Sequence, residues 1–293
     1  MSDASVVVVT HNGLPWVEQA LESVRGTQTV VVDNGSSDGT VAFVRERFPE
    51  VEVVEQENRG LAAGWNAGVA RTDGRYVLLL NSDAWLDDGA LAALVAFADA
   101  HPDVAVVGPR LRNPDGSLQR SVRGFPTLWR LATEYLFLRK LAPRSRALND
   151  FYGAGFAHDE ERDADFLMGA VWLVRRAAID DVGPADERFF LFSEEVDWAY
   201  RLRRAGWRSV FFPGAGATHV YGASHGGRLF TEIQRGHLRF FAKHHGPAQA
   251  ERVRRLLRAS LALRGVLYRG ERGRRYREAA AWLGSGSVDD LIA

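Results

Sequence analysis

Residues 5–48 read SVVVVTHNGLPWVEQALESVRGTQTVVVDNGSSDGTVAFVRERF. Four valines lead into small polar residues, a segment with apolar positions at helical spacing follows, and the same order then repeats. A strand that is apolar at every position has to be covered on both faces, which marks a parallel sheet flanked by helices. Further on, VEVVEQ precedes LAAGWNAGVA, YVLLLN precedes GALAALVAFADA, and VAVVGP closes the series near residue 110. The expected architecture is a doubly wound α/β domain with a mostly parallel sheet.

Open sheets of this kind bind ligands outside the carboxyl ends of their strands. Those ends are Thr10-His11-Asn12, Asp33-Asn34-Gly35-Ser36, Glu57-Asn58-Arg59-Gly60 and Asn81-Ser82-Asp83. Taken singly, each is ordinary turn or N-cap chemistry. Four such clusters on one edge of one sheet point to a polar ligand.

Composition narrows the chemistry. With 293 residues, 46% of them apolar, the chain can bury a large core, and with no cysteine any metal must be held by carboxylates or histidine. The start, MSDASVVVVTHN, has no basic leader and too short an apolar run for a signal peptide, so it reads as a first strand. No run is long enough to span a bilayer. The expected location is the cytoplasm or a membrane surface. Net charge is zero, but from 228 to 278 thirteen arginines and Lys243 face four glutamates, a net +10 on an otherwise acidic chain. Residues 228–283 are therefore read as a basic amphipathic helical tail. Either its arginines lie on helices packed against the domain, or a helix pair meets an anionic membrane surface. No nucleic-acid recognition pattern accompanies the charge.

Beyond residue 110, LRNPDGSLQRS reads as a hairpin around Pro-Asp-Gly. The aperiodic stretch 126–163 is of a length typical of binding loops. FFLFSEEVDWAYRLRRAGW sets Glu194 and Glu195 at a helix start, and WRSVFFPGAGATHV is a strand ending near His219. The chain contains neither G-x-G-x-x-G after its first strand nor a P-loop, so a diphosphate would need another counter-charge, such as a divalent cation on a carboxylate.

In this order VVVTHN, VVDNGSSDGT, ENRGLAAGWNAGV, LLLNSDAWL, FLMGAVWLVRR, FFLFSEEVDWAYRLRRAGW and ATHVYGAS resemble the inverting glycosyltransferases of family 2, which have the GT-A fold, in their rhamnosyltransferase-like branch. The resemblance covers about residues 4–225. It implies a glycosyltransferase domain at 1–227, with a nucleotide-sugar half (1–110) and an acceptor and catalytic half (111–227), followed by the tail at 228–293. It implies nucleotide-sugar contacts from Thr10, Asn12, Asp33, Asn34, Ser36, Asn58, Gly60, Asn66, Asn81, Ser82 and Asp83. Within that set Asp33 suits a pyrimidine N3–H, and Gly64 lets its helix approach closely.

NSD stands in place of the family's D-x-D, with Asn81 for the first Asp. Asp83 and His219 are then the implied ligands of Mg2+ or Mn2+, and His225 is a candidate for a phosphate loop. Glu195 is the implied base, one methylene longer than the usual Asp, with Glu194 and Asp197 as alternatives. Met168, Gly169 and Trp172 are implied acceptor contacts, although core packing is the stronger reading for Trp65, Trp85, Trp172 and Trp198 as a group. Asp87 and Asp88 read as helix-start residues.

The implied donor is a dTDP- or UDP-sugar, dTDP-L-rhamnose first. The implied acceptor is lipid-linked or a polysaccharide, met at the inner face of the cytoplasmic membrane, and the oligomeric state is left open, homodimer included. A sugar nucleotidyltransferase would need a Gly-rich basic loop that THNGLPWVEQ does not offer. A catalytically silent GT-A binding or scaffold protein is the remaining alternative.

Overall fold

The computed structural model describes residues 3–143, 145–149, 151, 153, 156–220 and 230–293, so His225 lies outside the described residues. Strands and helices alternate through β1 (Ala4–Thr10), α1 (Val17–Glu22), β2 (Thr29–Asp33), α2 (Thr40–Arg47), β3 (Glu52–Glu55), α3 (Leu61–Val69) and β4 (Tyr76–Asn81). Then come β5 (Ala84–Leu86), α4 (Ala90–Ala100), β6 (Val104–Arg112), β7 (Leu118–Gln119) and β8 (Val122–Arg123). After α5 (Leu128–Tyr135) and α6 (Arg146–Asn149) follow β9 (Arg162–Ala164), β10 (Phe166–Leu167), β11 (Val171–Arg175), α7 (Arg176–Val182), α8 (Glu194–Arg204) and β12 (Arg208–His219). The last elements are α9 (Phe230–His245), α10 (Pro247–Leu267), α11 (Gly270–Trp282) and α12 (Val288–Ile292).

Two compact units form. One comprises 1–123, 157–190 and 194–226, and the other 124–156, 191–193 and 227–293. The stretch 124–156, which the sequence reading assigns to the acceptor half, instead groups with the tail helices.

The first unit is built on a sheet of order β3-β2-β1-β4-β11-β6-β12-β5. β1 pairs in parallel with β2 and β4, β2 with β3, and β6 with β12, whereas β11 is antiparallel to both neighbours. The valines of β1 are buried on both faces, as their unbroken run predicts. Helix α3 lies close on this strand because a Cβ on Gly64 would stand 2.5 Å from Val9 Cγ1, which bears out the expected close approach. The Pro-Asp-Gly hairpin is also present, with Leu111 opposite Gln119 and Arg112 opposite Leu118.

One irregularity places the site. Between Phe212 and Gly216 the register of β12 on β6 slips, and past it Ala217–His219 pair with β5. A bulge bends and twists a strand. Here it carries the strand end across so that His219 stands opposite Ala84, next to Asp83.

The second unit contains α5, α6 and the four tail helices. Much of the basic charge here is structural: the Arg264 guanidinium is buried, donates to the carbonyls of Tyr135 (2.9 Å) and Glu134 (2.5 Å), and lies 4.3 Å over the Phe137 ring. Arg254 donates to the Leu283 carbonyl (2.6 Å), Arg277 to that of Gly265 (2.7 Å) and Arg235 to that of Leu291 (3.0 Å). Carbonyls at helix C-termini lack intrahelical donors, and arginine side chains satisfy them here. The tail, for which the sequence leaves both packed basic helices and an interfacial helix pair open, forms four helices held together partly by their own arginines.

Candidate active site

Parallel register aligns the strand ends. Thr10 is the partner of Asp33, Asp33 of Glu55, and Val9 of Asn81, so the expected polar clusters share one edge. Thr10 and Asp33 are each 2% exposed, and Thr10 Oγ1 and Asp33 Oδ2 are buried without a hydrogen-bond partner. Buried polar atoms are rarely left unsatisfied without a functional reason. The other Asp33 oxygen accepts from the Ser36 amide (2.8 Å), which fixes the carboxylate and leaves Oδ2 without a partner.

Neighbouring residues hold this pair in place. Asn12, at φ 55°, accepts from the Ser37 amide (2.8 Å), and its own amide donates to Ser36 Oγ (2.7 Å). Asn34 donates to the Gly60 carbonyl (3.1 Å) and accepts from Gln56 Nε2 (2.8 Å), tying the loop after β2 to the loop after β3. Asn58 accepts from the Gly60 amide (3.2 Å). Gly60 sits at φ 93°, where a Cβ would collide with the Phe190 carbonyl, and Leu61 donates to that carbonyl (2.8 Å). Asn66 corrects its expected role: its amide is engaged on both sides with the Ala185 backbone, at 2.9 and 3.0 Å, so it braces a loop rather than offering itself to a sugar.

The ends of β4 and β12 contribute the metal candidates. Asp83 and His219 are buried side by side, His219 Nε2 lying 3.5 Å from Asp83 Oδ1. On the far side of the ring, His219 Nδ1 lies 2.7 Å from Gln119 Oε1. Gln119 Nε2 donates to Asn113 Oδ1 (2.8 Å) and to the His219 carbonyl (3.2 Å), so its oxygen is the atom that faces the ring and accepts the Nδ1 proton. Nε2 is then the nitrogen that faces Asp83, as in a metal-ligating histidine whose other nitrogen is held by a side-chain oxygen. An imidazole nitrogen and a carboxylate at this spacing fit a divalent cation whose other positions are filled by substrate oxygens and water. Among the described residues no group of three metal-ligating side chains occurs. Gln119 and Asn113 escaped the sequence reading, since nothing in a hairpin glutamine marks it as the neighbour of a histidine a hundred residues away.

At the start of α8, Glu194 is 3% exposed and Glu195 half-buried. Burial pushes the Glu194 carboxyl well above the usual range, and the Glu195 charge beside it adds to the effect. Glu195 lies against Gly169, whose Cβ position would be 3.4 Å from Glu195 Cβ and 3.4 Å from the Trp65 ring. The next residue, Ala170, accepts from the Asn81 amide (3.0 Å), so Glu195 and the end of β4 share one short segment. Asp197 is fully buried and bound by Arg201 (3.0 Å), which also donates to the carbonyls of Val182 and Pro184. Its role is to anchor α8, which removes it as an alternative base.

The chain enters α8 through Phe192 (φ 66°) and Ser193 (φ 72°), both left-handed. Two consecutive non-glycine residues of this kind cost on the order of 1–3 kcal/mol each, a strain usually confined to functional sites.

Glu194 also sets a stability signature. Because its native pKa is raised, its contribution is full below the pKa of an unfolded glutamate and is lost as pH rises through the native value. Glu194→Gln is therefore expected to be more stable than the parent at neutral and alkaline pH, with the difference vanishing in acid. Each kcal/mol gained corresponds to roughly 2–4 °C for a domain of this size. Thermal melts from pH 4 to 9 would measure it, and equal slopes for parent and variant would refute it.

Two further expectations are corrected. Trp172 is fully buried, its ring centroid 6.0 Å from that of Trp65, and Trp65 stands 6.0 Å from Trp198 in turn. The Trp172 indole N–H donates to the Met168 carbonyl (3.0 Å), so this ring packs the core and does not reach an acceptor. Met168 and Gly169 remain half-buried beside Glu195. Asp87 does not cap α4: Gly89 is the N-cap, and Asp87 is ion-paired with Arg112, whose Nε donates to Thr218 Oγ1 (3.2 Å). Asp88 is exposed.

The fold is that of GT-A glycosyltransferases. The sequence model of the family described as glycosyl transferase family 2 matches residues 5–183, and the chain belongs to that family. It is 32% identical over 285 residues, 89% of this chain and 91% of the relative, to the N-acetylglucosaminyl-diphospho-decaprenol L-rhamnosyltransferase of Mycobacterium tuberculosis. It is also 28% identical to the pre-mycofactocin glycosyltransferase of that organism, over 74% of this chain and 42% of the relative.

Among solved structures, GalNAc-T7 with UDP, GalNAc and Mn2+ matches with a TM-score of 0.59 at 16% identity, covering 99% of this chain and 55% of that one. The mannosyltransferase PcManGT from Pyrobaculum calidifontis with GDP-Man and Mn2+ gives 0.57 at 18% identity, covering 96% and 84%. These structural likenesses establish the fold. The protein is a glycosyltransferase, rhamnosyltransferase-like in sequence.

Proposed function

We propose that this glycosyltransferase is metal-dependent and inverting, and moves L-rhamnose from dTDP-rhamnose to a hydroxyl of a lipid-linked or polysaccharide acceptor in cell-envelope glycan synthesis. It works peripherally at the inner face of the cytoplasmic membrane, where the basic residues of 228–283 meet anionic lipid. The observation that carries the reaction is the Asp83–His219 pair, buried at the sheet edge with the imidazole ring held by Gln119. The choice of sugar and of a lipid-linked acceptor is supported by the similarity to the mycobacterial rhamnosyltransferase.

In this reading the open oxygen of Asp33 accepts the N3–H of a uracil or thymine, and the Thr10 hydroxyl reaches the nucleoside beside it. Asp83 and His219 would hold Mg2+ or Mn2+, which when bound supplies positive charge to the diphosphate as it departs. Asn81 and Ser82 line the sugar side of that position. Glu195 takes the proton of the acceptor hydroxyl while its oxygen attacks the anomeric carbon. The bond to the diphosphate breaks with its electron pair on the leaving oxygen. Attack from the face opposite the leaving group inverts the configuration. Met168 and Gly169, beside Glu195, border the acceptor, and neutral Glu194 keeps a second charge away from the base.

Incubation with UDP-, GDP- and dTDP-sugars, Mg2+ or Mn2+, and a polyprenyl-linked acceptor tests this directly. Nucleoside diphosphate release should require both metal and acceptor and should be greatest with dTDP-rhamnose. Silence across the panel, with no metal-dependent nucleotide binding, would reject the reading; turnover with another donor would reject the sugar alone.

A further inference from the structure

The second unit leaves several large apolar side chains in solvent. On the last turns of α10, Leu263, Val266 and Leu267 are 47%, 81% and 60% exposed, and Leu141 is 79% exposed. The three α10 residues are spaced i, i+3, i+4, so they share one helix face. The Phe137 and Tyr268 rings are 6.2 Å apart, and the Arg264 guanidinium lies 4.3 Å over Phe137, which sets the end of α10 beside the segment leading to Leu141. The three α10 residues therefore project together at the end of the helix that packs against Phe137. Contiguous exposed apolar side chains of this size mark a contact surface.

The charge around them selects the partner. Lys140, Arg269, Arg272 and Arg274 are exposed close to this end in sequence and structure, and from 258 to 277 seven arginines face one glutamate. Arg264 and Arg277, although bound to backbone carbonyls, keep their full charge, because a neutral acceptor does not neutralise a guanidinium. Apolar side chains ringed by fixed cations suit the headgroup boundary of an anionic bilayer, where aliphatic groups enter the acyl region and arginines meet phosphates. A second copy of this chain would bring the same cations face to face. No described helix is long and apolar enough to cross a membrane, so contact would be at the surface.

We infer that the exposed end of α10, with Leu263, Val266 and Leu267 as inserting residues and Lys140, Arg269 and Arg272 as headgroup contacts, is the membrane-docking edge of this protein. This deepens the proposed membrane-borne acceptor by naming the residues that would bring the enzyme to it. The edge can be tested apart from catalysis.

The test is sedimentation of the full chain with phosphatidylcholine vesicles containing or lacking 30% phosphatidylglycerol. Binding should need the anionic lipid, fall with 0.5 M NaCl, and weaken at least about tenfold in Leu263→Ser/Val266→Ser/Leu267→Ser. Val266→Glu alone, at a position 81% exposed and so compatible with folding, should weaken it similarly. Donor binding in solution should be unchanged in both variants. Binding that ignores lipid charge, or that survives both variants, would overturn the inference. So would a dimer in sedimentation equilibrium that the same variants dissociate. Loss of vesicle binding with donor binding intact counts for the edge, whereas absence of donor binding in the parent counts against the proposed reaction and not against the edge.

Discussion

Asp83→Ala is expected to lose metal-dependent donor binding by about a hundredfold and to lower kcat/KM by on the order of 10³ or more. Asp83 is the carboxylate that would face both the cation and the departing diphosphate, and His219 stands next to it. The fold should survive, because the contact that joins β12 to this position is made by the backbone: the Val220 amide donates to the Asp83 carbonyl (2.9 Å). Titration with a fluorescent nucleotide, with and without Mn2+, separates the outcomes. If the variant binds nucleotide with unchanged metal dependence, Asp83 and His219 are a structural pair and the cation lies elsewhere. His219→Ala should show the same defect in weaker form, since the carboxylate remains.

Glu195→Gln is expected to leave donor affinity within about threefold of the parent and to reduce kcat by roughly 10²–10⁴, the usual contribution of a general base. The substitution is isosteric and the residue half-buried, so packing against Gly169 and Trp65 is retained. Its neighbour behaves in the opposite sense. Glu194 is buried and its carboxyl is pushed well above the usual range, so Glu194→Gln should keep most activity while changing the pH dependence of stability. Measuring both variants distinguishes the two carboxyls. If Glu194→Gln is the inactive one, the roles are reversed.

The expected helix-start acids proved unequal in a way that spacing could not reveal. The sequence places Glu194, Glu195 and Asp197 together in the first turn of α8, where the helix dipole favours any acid. Helical geometry turns Asp197 away from Glu195 but keeps it on the face of Glu194, three residues before it; what distinguishes it is Arg201, which holds it. The tryptophans tell a similar story. Trp172 and Trp65 sit in motifs that line the site, yet three rings stack in sequence inside the core. Asn66 likewise looks like a sugar contact until Ala185, over a hundred residues away, occupies its amide.

By itself the sequence determined the alternation of strands and helices, the parallel sheet and the polar ends of its strands, because strands buried on both faces must be apolar throughout and side-chain periodicity is local. It also located the hairpin and the helix at Glu194. Only the tertiary structure decided which of those polar residues meet. The slip between Phe212 and Gly216 swings His219 across to Asp83, and Gln119 on the hairpin then fixes the imidazole. Local rules set what each segment becomes. The chemistry depends on angstrom-scale meetings between segments far apart in the chain, and a single sequence does not encode those in any local pattern.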